Sequence, residues 1–189
     1  VIDGYVSMTG GINIADEYIN VIERFGVWKD TGFRIEGDAA WSLTTTFLNT
    51  WEYVTRKKED YSKFHPRYSM ESDGYVQPYY DTPLDRVNLC ENSYLSVINN
   101  AKDYVYIATP YLIIDNEIIT ALTIAAQSGV DVRIVVPGIP DKWYVYYVTQ
   151  SYYRTLLRAG VKIYEYTPGF IHAKMYVSDD IQAIVGGAN

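Results

Sequence analysis

The chain has 189 residues, 48% of them apolar and 21% charged, enough to bury a sizeable core and expected to form one compact domain. Its net charge of −7, from 16 Lys and Arg against 23 Asp and Glu, argues against a nucleic-acid partner, which selects a basic surplus to displace phosphate counterions. No apolar run reaches 18 residues and the opening residues lack the basic start of a signal peptide, so the chain is expected to be soluble. The single cysteine, Cys90, is read as a small buried apolar residue compatible with a reducing compartment. Twenty tyrosines against five phenylalanines suit interfaces where an apolar ring meets a polar edge, though tyrosine standing in for phenylalanine is the simpler account.

In chain order, residues 1–3 and 5–9 read as a strand pair around Gly4, followed by Gly10, Gly11 and a loop or short helix over 13–21. An extended stretch at 33–35 leads to Gly37 and Asp38, an N-cap signal, and then a helix to about residue 55 with Leu43, Phe47, Leu48, Trp51 and Val54 at helical spacing. Residues 56–74 are the most polar run, a surface loop in which His65 is solvated. A short strand at 75–77 precedes a helix over 84–101 with Val87, Tyr94, Val97 and Ile98 on one side.

A regular pattern follows. Strand 104–108 leads to a helix capped by Asp115 or Asn116, whose Ile118, Ile119, Leu122 and Ala125 form a stripe ending at Gly129. Strand 130–136, helix 142–159 ending at Gly160, and strand 161–166 come next. Strands alternating with helices predict parallel βαβ units. Residues 171–177 and 181–185 form a hairpin around Ser178, Asp179 and Asp180.

The two ends of the chain match. DGYVSMTGGIN from Asp3 and DDIQAIVGGAN from Asp179 both fit D-x6-G-G-x-N without a gap, offset by 176 residues, which points to an internal duplication. His172 and Lys174 precede Asp179 by seven and five residues. A complete first copy would place its own His and Lys just before Val1, so one motif is expected to be complete and the other only partly present, and the chain alone is expected to be inactive.

H-x-K-x4-D-x6-G-[GS]-x-N, duplicated, resembles the signature of the phospholipase D superfamily. The words TGGINIADEY, WKDTGFRIEG, PYLIIDNEIITAL, GVDVRIVVPG, LLRAGVKIYEY and FIHAK are similar to its cardiolipin synthase branch. In the segment VQPYYDTPLD the chain lacks a serine common in that branch.

The resemblance implies an α/β fold, a mixed sheet flanked by helices in two pseudo-symmetric repeats truncated at both ends, with residues 1–74 from the first repeat and 75–189 from the second. It also implies phosphatidyl transfer through a phosphatidyl-histidine, from two phosphatidylglycerols to cardiolipin and glycerol, with no metal or cofactor. The parent is expected at the cytoplasmic side of a bacterial membrane, possible oligomers included.

For the chemistry, alternation on a strand at 171–177 places His172, Lys174 and Tyr176 on one face and Ala173, Met175 and Val177 toward the core. An imidazole beside an ammonium offers a phosphodiester a nucleophile or proton donor and a fixed positive charge. The candidate catalytic residues are His172, Lys174, Asp179, Asp3 and Asp30, the last implied by the resemblance as the acidic residue that orients the first motif's imidazole. Lys174, Asn189, Asn13, Gly187 and Gly11 are the candidate phosphate-binding residues, and Asp3 and Asp179 could equally serve to bond backbone amides at a turn. A phosphodiesterase of the same fold, a nuclease included, and a non-catalytic lipid-binding module are the competing readings.

Overall fold

The computed structural model describes residues 1–67, 70–82 and 86–187. Two compact units replace the single domain expected from length: Val1–Thr9 with Phe33–Leu89, and Gly10–Gly32 with Cys90–Asn189.

In the first unit, strands β1 (Val6–Gly10) and β2 (Gly32–Glu36) pair, and helix α1 runs over Asp38–Thr55 from Gly37. Its buried face keeps only part of the predicted stripe. Ala40, Thr44 and Leu48, four residues apart, are buried, while Phe47, Trp51 and Val54 are exposed. Small side chains let the helix approach closely: Ser7 donates to the Ala40 carbonyl at 3.2 Å. The polar run after α1 contains one short 3-10 turn, Tyr61–Phe64, and no strand forms at 75–77, where Tyr75 and Val76 are exposed. His65 is exposed, as expected; its Nδ1 lies 2.9 Å from the Pro66 carbonyl oxygen and its ring 4.7 Å from that of Trp41.

The second unit is built on a five-stranded mixed sheet in the order β5-β4-β3-β6-β7. Strands β3 (Tyr104–Ala108), β4 (Asp131–Pro137) and β5 (Lys162–Tyr166) are parallel neighbours, and the hairpin β6 (Met175–Ser178) and β7 (Gln182–Val185) adds antiparallel to β3. Helices α2 (Leu89–Asn100), α3 (Asn116–Gln127) and α4 (Trp143–Ala159) all contribute to one core cluster. The start of the predicted 84–101 helix lies outside the described residues, and Val87, before α2, is exposed.

Local signals explain these elements. The Asp115 carboxylate accepts from Ile118 N at 2.9 Å and starts α3, as the cap reading predicts, and Gly160 closes α4 at φ 101°. Along β4, Val132, Ile134 and Val136 are buried against the helices, whereas Asp131 and Arg133 point away, where Asp131 bonds Arg133, Lys162 and Tyr106. Cys90 is half-buried against the same core. Among the described residues no helix is long and apolar enough to cross a membrane.

The duplication has a local counterpart in the backbone. Asp3 and Gly4 have φ of 50° and 77°, Asp179 and Asp180 of 53° and 57°, and in each case the flanking residues close the turn, Tyr5 N to Ile2 O and Ile181 N to Ser178 O, both at 3.0 Å. Both turns thus carry left-handed backbone at two successive residues, and each is followed by one more residue before pairing begins, at Ile2 with Val6 and at Ser178 with Gln182.

Candidate active site

The site forms in the second unit where two distant segments run side by side. Val27 N bonds Pro168 O at 2.9 Å, Lys29 N bonds Phe170 O at 2.9 Å, and His172 N bonds Lys29 O at 2.7 Å, with a parallel bridge between Lys29 and Ile171. This ladder holds Ile171–Lys174 ahead of β6, so the strand predicted from residue 171 begins only at Met175. It also sets Asp30 beside His172.

Within this chain Asp30 is the partner of His172, the second motif's imidazole. Its Oδ2 lies 3.0 Å from His172 Nδ1, with the two side chains only 3% and 12% exposed, and its Oδ1 accepts from Thr31 N at 2.8 Å. Gly11 makes room for that carboxylate, since a Cβ there would collide with it, and Gly11 N bonds Thr31 O at 3.2 Å.

Lys174 is buried, only 5% exposed. Its Nζ lies 2.8 Å from His172 Nε2, 3.0 Å from Nδ1 and 2.9 Å from the His172 carbonyl. Because Nδ1 faces a carboxylate acceptor, the proton belongs on Nδ1, and the Lys174 Nζ, nearly equidistant from both ring nitrogens, lies to the side of the Nε2 lone pair rather than along it. No carboxylate among the described residues forms an ion pair with Lys174. Burial pushes its ammonium down to about 8, with Asp30 pulling weakly the other way. Burial likewise holds the His172 imidazole below its ordinary value, against the opposing hydrogen bond to Asp30.

Aromatic rings line the imidazole. Phe170 stacks at 6.0 Å between centroids, Trp28 lies tilted at 5.4 Å, and Tyr18 stands edge-on at 5.3 Å. Trp28 is 8% exposed, and its Nε1 is buried without a hydrogen-bond partner among the described residues. Asn20 clasps the Trp28 backbone, accepting from its N at 2.7 Å and donating to its O at 3.1 Å. Sequence reasoning missed Tyr18, Asn20, Trp28 and Phe170. Three of them sit inside or beside quoted words, TGGINIADEY, WKDTGFRIEG and FIHAK, but no periodicity marks them.

The remaining candidates fall elsewhere. Asp179 accepts from Lys102 N at 2.8 Å, Asp103 N at 3.0 Å and Tyr104 N at 2.8 Å, fastening the hairpin to the start of β3, and these amides hold its carboxyl below the usual range. Asp3 belongs to the first unit, at its own turn. Tyr176 stacks on Tyr94 at 4.3 Å in the helix-side core, with its phenol pushed up to about 12 by burial, because it pairs with the buried Ile107 of β3. Gly187 is exposed near Gly10 O, Asn13 is exposed and donates to Tyr18, and Asn189 lies outside the described residues. Among the described residues, Glu91, Asp115 and Glu117 could bring three carboxylate oxygens within 4.8 Å of one another, a cluster in α2 and at the start of α3.

A family model described as cardiolipin synthase, PLD-like domain, matches residues 94–189, half of the chain. The chain belongs to this phospholipase D-like family. An uncharacterized protein of Streptococcus mutans is 51% identical over the whole chain, which spans 41% of that protein. A cardiolipin synthase of Geobacillus thermodenitrificans is 42% identical over the whole chain, which spans 38% of it. The chain thus covers about two fifths of the curated relatives it matches. In fold it resembles the crystal structure of a phosphatidylserine synthase from Haemophilus influenzae, with TM-score 0.56 and 13% identity over 94% of this chain and 50% of that one.

Proposed function

We propose that His172, Lys174 and Asp30 form one half of a phosphatidyl-transfer site, and that the whole protein joins two phosphatidylglycerols into cardiolipin with release of glycerol. The observation that carries this reading is the buried Lys174 ammonium, held against His172 with no ion-paired carboxylate among the described residues. A buried cation calls for an anion, and a phosphodiester beside an imidazole nitrogen supplies one.

In this reading Lys174 turns from the His172 ring to a phosphate oxygen when substrate binds and offsets charge developing on the pentavalent phosphorus, while the Nε2 lone pair meets phosphorus. Asp30 keeps the proton on Nδ1 and stabilises the ring as it gains positive charge. One imidazole attacks phosphorus to give a phosphatidyl-histidine while a second imidazole protonates the departing glycerol oxygen. The primary alcohol of a second phosphatidylglycerol then displaces the histidine, losing its proton to that same second imidazole. Two phosphatidylglycerols become one cardiolipin and one glycerol, and both histidines return to their starting state. Which of the two is the nucleophile is left open by symmetry.

The second imidazole comes from the other copy of the motif. Lipid substrates put the whole protein at a membrane surface. A nucleic-acid phosphodiester would use the same chemistry, but a net charge of −7 works against it.

The test uses the full-length protein carrying this segment, with phosphatidylglycerol vesicles and detection of cardiolipin and free glycerol. Loss of both products in His172→Asn and in Lys174→Met supports the reading. Undiminished cardiolipin formation in either variant contradicts it.

A further inference from the structure

The sequence pairs Asn13 with Asn189 as phosphate-binding residues, yet Asn13 directs an amide donor at a tyrosine: its Nδ2 donates to the Tyr18 hydroxyl at 2.7 Å. Tyr18 sets its ring at 89° to the His172 imidazole, 5.3 Å between centroids, and lies 4.2 Å from Trp28. It sits on the short 3-10 turn Asp16–Ile19, whose end is capped by Asn20 through backbone bonds to Asp16 and Glu17. The same Asn20 clasps Trp28. Both aromatic neighbours of the imidazole on this side are therefore tied by asparagines, Tyr18 at its hydroxyl and Trp28 at its backbone.

The physical need for such ties lies in the histidine side chain. Rotation about its Cβ–Cγ bond is broad, so the polar contacts at its nitrogens are best held in one geometry when packed rings stop the imidazole from rocking about them. A group that must meet phosphorus in line is sensitive to displacements on the order of 1 Å. Phe170 and Trp28 restrict tilt, and the perpendicular Tyr18 ring restricts rocking.

We infer that Tyr18 is a positioning residue for His172 and that Asn13 is the latch holding Tyr18 in place. The closing residue of the first G-G-x-N word thus acts on the histidine of the second motif through a tyrosine ring, rather than directly on phosphate. The inference rests on the proposed function only in taking His172 as the working imidazole.

The test is nitrogen-15 NMR of the imidazoles in the 189-residue chain. There are two histidines, so His65 serves as an internal reference. In the unsubstituted chain His172 should be predominantly protonated on Nδ1 when neutral. Asn13→Ala and Tyr18→Phe both remove the latch, and both should admit a population protonated on Nε2 while His65 stays unchanged. Tyr18→Leu removes the ring as well and should also raise the His172 titration midpoint, because water then reaches the imidazole. Should Tyr18→Leu unfold the chain, the two milder variants at exposed polar groups still carry the test. A His172 tautomer ratio and titration identical to those of the unsubstituted chain in both Asn13→Ala and Tyr18→Phe would overturn the inference. No turnover is measured, so its failure is distinct from failure of the proposed phosphatidyl transfer.

Discussion

Asp30 Oδ2 and His172 Nδ1 lie 3.0 Å apart across 142 residues of sequence. The pair favours the proton on Nδ1, and in the proposed reaction Nε2 is the nitrogen that meets phosphorus. Asp30→Asn removes the charge that favours the imidazolium, so the His172 midpoint should fall further below its ordinary value. Cardiolipin formation by the full-length protein should fall by about 10²–10⁴-fold, the range for a misdirected general acid or base. NMR titration and product assays check the two outcomes.

Gly11→Ala tests the same contact without touching a charge. The added Cβ collides with the Asp30 carboxylate, so either that carboxylate or the backbone must move. The expected result is partial loss of the Nδ1-protonated tautomer, read by NMR, with His65 unaffected.

Lys174 sets an alkaline limit. Its folded-state value of about 8 lies below the ordinary 10.5, so the folded chain loses this proton before the unfolded chain does. Below pH 8 both states carry the charge and the folded state bears the cost of burying it. Between about 8 and 10.5 this group's contribution to stability becomes more favourable as pH rises. Binding runs the opposite way: affinity for a diester phosphate, whose own charge is constant in this range, should decline above pH 8. Lys174→Arg should move that decline to higher pH, as calorimetric titration at several pH values would show.

Asp179 is a fastener in this structure. Asp179→Ala leaves the amides of Lys102, Asp103 and Tyr104 without their acceptor. The melting temperature should drop while the His172 tautomer and titration stay as they were. Because its carboxyl is held below the usual value, its contribution is present above pH 3.8 and disappears as pH falls through the folded-state value, so the variant's deficit should shrink in strong acid.

What the sequence disclosed was mostly what neighbours in sequence determine. Asp115 and Gly160 mark helix ends by local hydrogen bonding, alternation in β4 separates Val132, Ile134 and Val136 from Asp131 and Arg133, and the repeat located His172 and Lys174. Failures came where distant chain decides. On α1 the buried face took Leu48 from the predicted stripe together with Ala40 and Thr44, while Phe47, Trp51 and Val54 stayed exposed. Tyr176 went to the helix-side core because its register opposite Ile107 put it there. Tyr18, Trp28 and Phe170 converge on His172 only through the ladder between residues 27–29 and 168–172, which leaves no periodic trace in the sequence.

The central claim is that His172 and Lys174 receive a phosphodiester, and it is tested most directly by titrating glycerophosphoglycerol into the 189-residue chain while following the two histidine imidazoles by NMR. Saturable shifts at His172 but not at His65, abolished by Lys174→Met, are the result expected. An unmoved His172 signal at saturating ligand, or equal shifts at both histidines, would contradict it.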